Sequence, residues 1–179
     1  FGTLLELDAY PSIGKNGYAY FNIGGSGASF FPKFRFGFSY FHNLEKGWEL
    51  EGGYRYLGFS EVTHIYTGSV GKYAGNWWLN ARINVIPDQD LGISTSSQLT
   101  ARYYFKTAED FFSIQLGTGV SPDEETRDLS QLLNSYRTRI GYQQLLSPKF
   151  MIYGFTGFSR DELSADRFRN NINLCLFSK

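Results

Sequence analysis

Basic side chains recur at alternate positions along several extended segments of this sequence. Alternate residues of a strand point to the same side, so this spacing gathers them on one surface. Guanidinium groups in a confined polar space attract phosphate, carboxylate or sulfate through paired hydrogen bonds. The predicted basic cluster comprises Lys33, Arg35, Arg55, Arg82, Arg102, Lys106, Arg137, Arg139, Arg167 and Arg169. The pattern therefore indicates a surface suited to anions.

Four acidic side chains share that predicted surface: Glu6, Asp8, Glu49 and Glu51. They allow a second interpretation, in which Arg and Glu pair across neighbouring strands and fill a narrow interior. Small barrels fill their interiors in this way. At any single position the sequence favours pairing over ligand binding, and both interpretations stay open for the set.

The sequence offers few residues for catalysis or metal binding. Only His42 and His64 could serve as histidine bases, and His64 has Ser60 and Ser69 nearby in sequence. A lipid hydrolase or acyltransferase needs such a base beside a nucleophile, but no Gly-x-Ser-x-Gly motif is present. The acidic stretch 122–125 matches no EF-hand, and a lone Cys leaves no zinc cluster. We expect no cofactor and no metal.

The elements that position these residues are strands with period-two alternation. Between 76 and 87, Trp77, Leu79 and Ile83 alternate with Asn80 and Arg82, so that one face is apolar and the other polar. About eleven strands are predicted: 3–10, 17–24, 33–43, 47–58, 62–73, 76–86, 96–106, 111–120, 134–146, 150–160 and 166–177. The segments 62–73 and 150–160 alternate poorly.

Composition supports an all-β membrane protein. Hydrophobic residues make up 42%, yet the mean hydropathy is −0.30 and no apolar run approaches the ~20 residues of a membrane-spanning helix. Most predicted strands reach the ~9–11 residues that cross a bilayer when tilted. A soluble β-sandwich is the competing fold, disfavoured because soluble surfaces keep apolar patches small. Seventeen basic and seventeen acidic residues cancel, which removes the electrostatic case for nucleic-acid binding.

The connections alternate between short and long, as in an antiparallel up-and-down transmembrane β-barrel with short periplasmic turns. The predicted periplasmic turns are 147–149, 107–110, 74–75, 44–46 and 11–16, and the outer loops include 121–133, 87–95 and 25–32. This assignment gives an odd strand count, whereas bacterial barrels usually have an even one. We therefore expect one or three further N-terminal strands, 12 or 14 in total, and treat 1–179 as a single, N-terminally incomplete domain.

Aromatic side chains near the predicted strand ends suit girdles at the level of the lipid headgroups. The predicted girdle comprises Tyr10, Trp48, Tyr73, Trp77, Tyr103, Phe112 and Phe150. Carbohydrate stacking is the alternative role for such rings. The girdle interpretation makes outer-membrane lipids the first expected partner.

Several segments resemble the YaiO-like outer-membrane β-barrel family, over nearly the whole chain. They are 6–11, 17–20, 31–33, 53–57, 65–73, 99–102 and 121–123, of which the run Tyr-Thr-Gly-Ser-Val-Gly-Lys-Tyr at 66–73 is the most specific. The resemblance implies a barrel in the outer membrane of a Gram-negative bacterium, with additional upstream strands and no catalytic residue that can be carried over. The association of some members with tetratricopeptide domains or surface-polysaccharide genes implies glycan export.

The expected function is that of a non-enzymatic barrel with a basic lumen, either a narrow, porin-like pore or an accessory subunit. Its expected ligands are anionic surface glycan, such as lipopolysaccharide, or lipid. Two alternatives stay open: a lipid-modifying enzyme that uses His64, and a structural subunit of a larger outer-membrane protein complex.

Overall fold

The computed structural model describes residues 2–28, 31–59, 62–88, 92–119, 135–147, 150–164 and 167–178. Twelve strands form within these ranges. They are β1 (Leu4–Ala9), β2 (Ser12–Ile13), β3 (Gly17–Ser26), β4 (Phe34–Leu44), β5 (Trp48–Gly58), β6 (Val62–Ala74), β7 (Trp77–Asp88), β8 (Gly92–Tyr104), β9 (Phe111–Thr118), β10 (Ser135–Ser147), β11 (Phe150–Ser164) and β12 (Arg167–Ser178). A single 3₁₀ turn, Glu45–Gly47, links β4 to β5.

The strands form one sheet with the order β1-β3-β4-β5-β6-β7-β8-β9-β10-β11-β12. Each long strand therefore pairs with the next long strand along the chain. The ladders β1–β3, β3–β4, β4–β5, β8–β9, β9–β10, β10–β11 and β11–β12 are antiparallel. The short β2 lies off this path and pairs with β3. An all-β, antiparallel, up-and-down fold is confirmed. No helix among the described residues is long and apolar enough to span a membrane.

All eleven predicted strands are present, with differences at their ends. The weakly alternating segment 150–160 extends to Ser164, and the strand predicted to begin at 96 begins at Gly92. Neither Lys33 nor Lys106 is within a strand, because β4 begins at Phe34 and β8 ends at Tyr104. The short β2 falls in a segment predicted as a turn. The predicted outer loop 121–133 lies outside the described residues.

The two sides of the strands have opposite environments. In β7 the side chains of Trp77, Leu79 and Ile83 are each close to half exposed, whereas Asn80 and Asn84 are 7% and 2% exposed. A soluble protein buries the apolar residues instead. The β-sandwich alternative is wrong, because it would place this apolar row between two stacked sheets.

The chain divides into two compact units. The first unit comprises the described residues of 1–70 and 82–96, and the second those of 71–81, 97–119 and 130–179. The first unit thus holds β1 to β5 with parts of β6, β7 and β8. The second unit holds the remaining parts of those three strands with β9 to β12.

The connection between β6 and β7 consists of only two residues, Gly75 and Asn76. Gly75 has a φ of +59°, in the left-handed region that costs most residues energy. Hairpins of this length require a positive φ because their turn must match the right-handed twist of the strands. Because of this turn, Trp78, the second residue of β7, lies close to the C-terminal end of β8.

Candidate functional site

Glu51 is the centre of a polar cluster in the first unit. Its carboxylate is fully buried, and its two oxygens take different partners. Oε1 accepts a hydrogen bond from the Ser39 hydroxyl at 2.9 Å, and Oε2 accepts one from the Ser69 hydroxyl at 2.8 Å. Oε2 also forms an ion pair with Arg82 Nη2 at 2.8 Å. Three strands, β4, β6 and β7, therefore meet at one carboxylate of β5.

Arg55 extends this cluster along β4. Its Nη1 donates to Ser39 Oγ and to the carbonyl oxygen of Phe38, both at 3.0 Å. The guanidinium group also lies over the Tyr20 ring, 5.0 Å from its centroid. Gly37 makes room for this arrangement, because a Cβ at that position would lie 2.9 Å from Arg55 Cδ. Glycine at position 37 of β4 thus leaves the space that the Arg55 side chain of β5 occupies.

The acidic residues of β1 are bound by polar groups of β3 and β4. Asn22 Nδ2 donates to Glu6 at 3.1 Å and to Asp8 at 2.8 Å, and the Tyr20 hydroxyl donates to Asp8 at 2.9 Å. Arg35 forms an ion pair with Glu6 at 3.0 Å. The fourth predicted acid, Glu49, instead accepts a hydrogen bond from Tyr18 at 3.1 Å. The first unit thus brings the four predicted acids together with three of the predicted bases, Arg35, Arg55 and Arg82.

A cavity of about 370 Å³ opens within this part of the first unit. Its lining carries both charge signs and three aromatic rings: Glu6, Asp8, Tyr10, Tyr20, Asn22, Arg35, Phe41, Glu51, Arg55 and Arg82. Most of these side chains are already committed to the contacts above. The cavity is therefore polar but locally balanced in charge.

An apolar cluster lies on the same side of the strands as this polar network. Leu57, Ile65 and Ile86 are 4%, 0% and 8% exposed, and Phe59 packs against them. Beside them, Thr67 donates to Asn84 at 2.8 Å, and Asn84 donates to Ser96 at 3.0 Å. The sequence analysis did not predict this cluster. Alternation nevertheless places Leu57 on the same strand face as Arg55, and Ile86 on the same face as Asn84.

The arginines of the second unit have different surroundings. The Arg102 guanidinium lies 5.0 Å from the Trp78 ring centroid and 4.7 Å from that of Phe111. Arg139 lies 4.5 Å from the centroid of Phe155. Among the described residues, neither arginine has a carboxylate within 4.0 Å. Aromatic faces attract these cations without neutralising them.

The remaining residues of the predicted basic cluster are not brought together. Lys33 and Lys106 are exposed in connections, and Arg137 is partly buried on β10. Arg167 and Arg169 belong to β12, whose side chains lie outside the described part of the structure. Among the predicted basic residues that the structure describes, only arginines therefore contribute to the buried polar surface, and neither lysine does.

The predicted girdle residues are all exposed at or near strand ends, but they do not share one environment. Trp77 and Tyr103 lie together on the apolar side, with ring centroids 5.0 Å apart. Tyr10 and Tyr73 instead contact rings of the polar side, Tyr20 at 5.0 Å and Trp78 at 6.2 Å. Alternation along their strands places Trp48, Phe112 and Phe150 on the same side as exposed apolar residues.

The two histidines each share a hydrogen bond with a tyrosine. His64 Nδ1 lies 2.8 Å from the Tyr54 hydroxyl, and His42 Nδ1 lies 3.1 Å from that of Tyr40. His64 is exposed, whereas Ser69 is turned to the polar side and bound to Glu51. Ser60 lies outside the described residues. Ser69 is therefore not placed to act as a nucleophile for His64.

Asp110 organises the turn between β8 and β9. It is 2% exposed and accepts hydrogen bonds from the Thr107 hydroxyl at 2.6 Å and from the backbone N–H of Leu145 at 2.8 Å. The Thr107 hydroxyl, together with the backbone N–H groups of Leu145 and Thr107, lowers the pKa of the Asp110 carboxyl below its ordinary value. The ionised carboxylate therefore fastens this turn to the end of β10.

A match to a known protein family agrees with the strand architecture. Residues 1–124 match the family described as the YaiO membrane beta barrel domain. No curated protein sequence matches the chain. Among solved structures, the chain is similar to an anion-selective porin from Comamonas acidovorans, with 14% sequence identity and a TM-score of 0.48. That alignment covers 98% of this chain and 55% of the porin, so the chain spans about half of that protein's length. Because the family match extends over more than half of its residues, the chain belongs to the YaiO membrane β-barrel family.

Proposed function

We propose that this chain is a non-enzymatic barrel of the bacterial outer membrane that binds or passes anionic groups of surface glycans or lipids. The observation that carries the proposal is the pair Arg102 and Arg139, held against aromatic rings without a carboxylate partner among the described residues. A guanidinium group whose charge is not cancelled attracts a mobile anion more strongly than a paired one does.

The contrast between the two units supports this assignment. In the first unit two of the three arginines of the polar cluster form ion pairs with acids, Arg35 with Glu6 and Arg82 with Glu51, whereas Arg55 lies against a hydroxyl group, a backbone carbonyl and the Tyr20 ring. Opposite charges at about 3 Å largely cancel each other's field at a distance. The second unit is therefore the better place to select anions, while the first unit has mainly a structural role.

The outer-membrane location is supported by the exposed apolar side of the strands. Leu79, Ile83 and Leu116 are each close to half exposed, which suits contact with acyl chains. Trp77 and Tyr103 lie at strand ends on that side, where amphipathic rings meet the headgroups. Outer-membrane lipids are accordingly the proposed partner of this surface.

Reversal potentials in planar bilayers under a KCl gradient test the proposal. We expect the purified protein to conduct with a preference for chloride. Arg102→Gln and Arg139→Gln should each move the reversal potential toward that of a non-selective pore. Arg160→Gln is the matched control, because Arg160 is exposed on β11 next to the buried, polar-side Ser159. A cation preference in the unmodified protein would overturn the proposed selectivity.

An accessory role in a larger outer-membrane complex is the second candidate. The dense side-chain network around Glu51 favours it, because a filled interior leaves little room for solutes. Its test is purification in mild detergent after cross-linking in cells. A stable complex together with absent conductance would support this role, and a conducting monomer would exclude it.

A further inference from the structure

Three side chains of the second unit form a compact site next to the two-residue turn. Trp78 is the second residue of β7, Phe111 is the first residue of β9, and Arg102 is near the end of β8. The Arg102 guanidinium lies between the two rings, at 5.0 and 4.7 Å from their centroids. Because the three strands are consecutive in the sheet, the arginine of the middle strand is held from both sides.

Two N–H donors in this site have no acceptor among the described residues. They are Arg102 Nε and Trp78 Nε1, both of which are buried as atoms. A buried donor without an acceptor is unfavourable, and native structures rarely keep one. The guanidinium carbon of Arg102 lies over both rings, and the N–H groups of an arginine point outward in the plane of the guanidinium group, where they can donate hydrogen bonds.

We infer that this site binds the carboxylate or phosphate group of an acidic saccharide. An oxyanion is the acceptor that matches a guanidinium edge beside an indole N–H, because it accepts several hydrogen bonds and balances the positive charge. Both Arg102 and Trp78 are only partly buried as whole residues, so parts of both side chains other than these two buried atoms are open to a ligand.

The neighbouring rings favour a saccharide over a bare ion. The Tyr73 ring centroid lies 6.2 Å from that of Trp78, and the Tyr104 ring centroid lies 5.7 Å from that of Phe111. Aromatic rings of this kind offer apolar faces with polar tips, which suit the mixed C–H and hydroxyl surface of a pyranose. The inference rests on the proposed function in one respect, namely that anionic glycans reach the polar side of the strands.

Tryptophan fluorescence can follow this site directly. In the variant W48F/W77F, Trp78 is the only remaining tryptophan of the three in the chain. We expect digalacturonate to change its emission saturably, whereas the neutral disaccharide lactose does not. Arg102→Gln in that background should weaken binding about tenfold or more, since a charge-assisted hydrogen bond is lost. Arg102→Lys should weaken binding less, because lysine keeps the positive charge. Some loss should remain, since lysine lacks the Nε donor.

Arg160→Gln in the same background is the control and should bind digalacturonate as the parent does. Heat-modifiable electrophoretic mobility verifies that each variant is folded. An unchanged affinity in Arg102→Gln would overturn the site. Inorganic phosphate that binds as tightly as digalacturonate would overturn the saccharide assignment and show a general anion site.

This experiment separates the site from the proposed function. If digalacturonate left the Trp78 emission unchanged in a protein that conducts anions selectively, the site alone would be overturned. A saturable Trp78 response in a protein without conductance would support the site and exclude the pore.

Discussion

Neutralising Glu51 should strongly destabilise the protein. Glu51→Gln keeps one oxygen that can still accept the Ser39 hydrogen bond. It removes the charged oxygen that binds both Ser69 and Arg82 at 2.8 Å. The Arg82 side chain, which is only 20% exposed, would then lose its counter-charge.

The expected magnitude follows from this burial. Breaking a buried ion pair by removing one partner costs about 3–5 kcal/mol. Because Arg82 keeps some contact with solvent, we place the loss for Glu51→Gln at the lower end, about 3 kcal/mol in the free energy of unfolding. Arg82→Gln should cost a similar amount. The double variant should lose less than the sum, with a coupling of about 1–3 kcal/mol.

Urea unfolding in lipid vesicles, followed by tryptophan fluorescence, measures these differences. Glu45→Gln is the control, because Glu45 is exposed in the 3₁₀ turn. Its effect should stay within about 0.5 kcal/mol. Additive effects of Glu51→Gln and Arg82→Gln would refute the claim that the two charges stabilise each other.

Three further predictions concern the turns and the apolar cluster. The lowered pKa of Asp110 means that its ionised form stabilises the fold fully above the ordinary value of 3.8 and ceases to do so as the pH falls through the lowered pKa. Asp110→Asn should therefore lower the melting temperature at neutral pH, and its difference from the parent should disappear in strong acid; a constant difference at every pH would contradict this. Gly75→Val should destabilise the protein by about 1–2 kcal/mol because of the φ of +59°, whereas Gly75→Asn should cost less in the same urea assay. Ile65→Ala should lower the free energy of unfolding by about 2–4 kcal/mol, because the Ile65 side chain is fully buried. Val70→Ala is the control, because Val70 is exposed. Equal losses in the two variants would contradict a stabilising role of the cluster.

The strand pattern was readable from sequence because each side of these strands meets one kind of environment. Trp77, Leu79 and Ile83 alternate with Asn80, Arg82 and Asn84, and the structure exposes the first set and buries both asparagines of the second. Ends were less predictable, since residues such as Lys106 continue the alternation after the last ladder pair. The two-residue β2 has too few positions to show a period.

Partners on the polar side could not be predicted in the same way. Arg82 and Glu51 are 31 residues apart in sequence, and their meeting depends on the register of strands that are not consecutive. The possibility of Arg–Glu pairing was visible, but not which arginines would pair. The position of Arg102 between two rings depends on residues of both neighbouring strands, which the sequence does not identify.

The cluster of Leu57, Ile65 and Ile86 has a consequence for transport that charge alone does not suggest. These three side chains are almost fully buried and offer no hydrogen-bonding group, so they exclude water from the stretch of the first unit that they fill. In the proposed pore, an ion that passed this stretch of the first unit would have to shed part of its hydration shell. Slow permeation of small ions would then be compatible with tight binding of larger anions elsewhere on the protein.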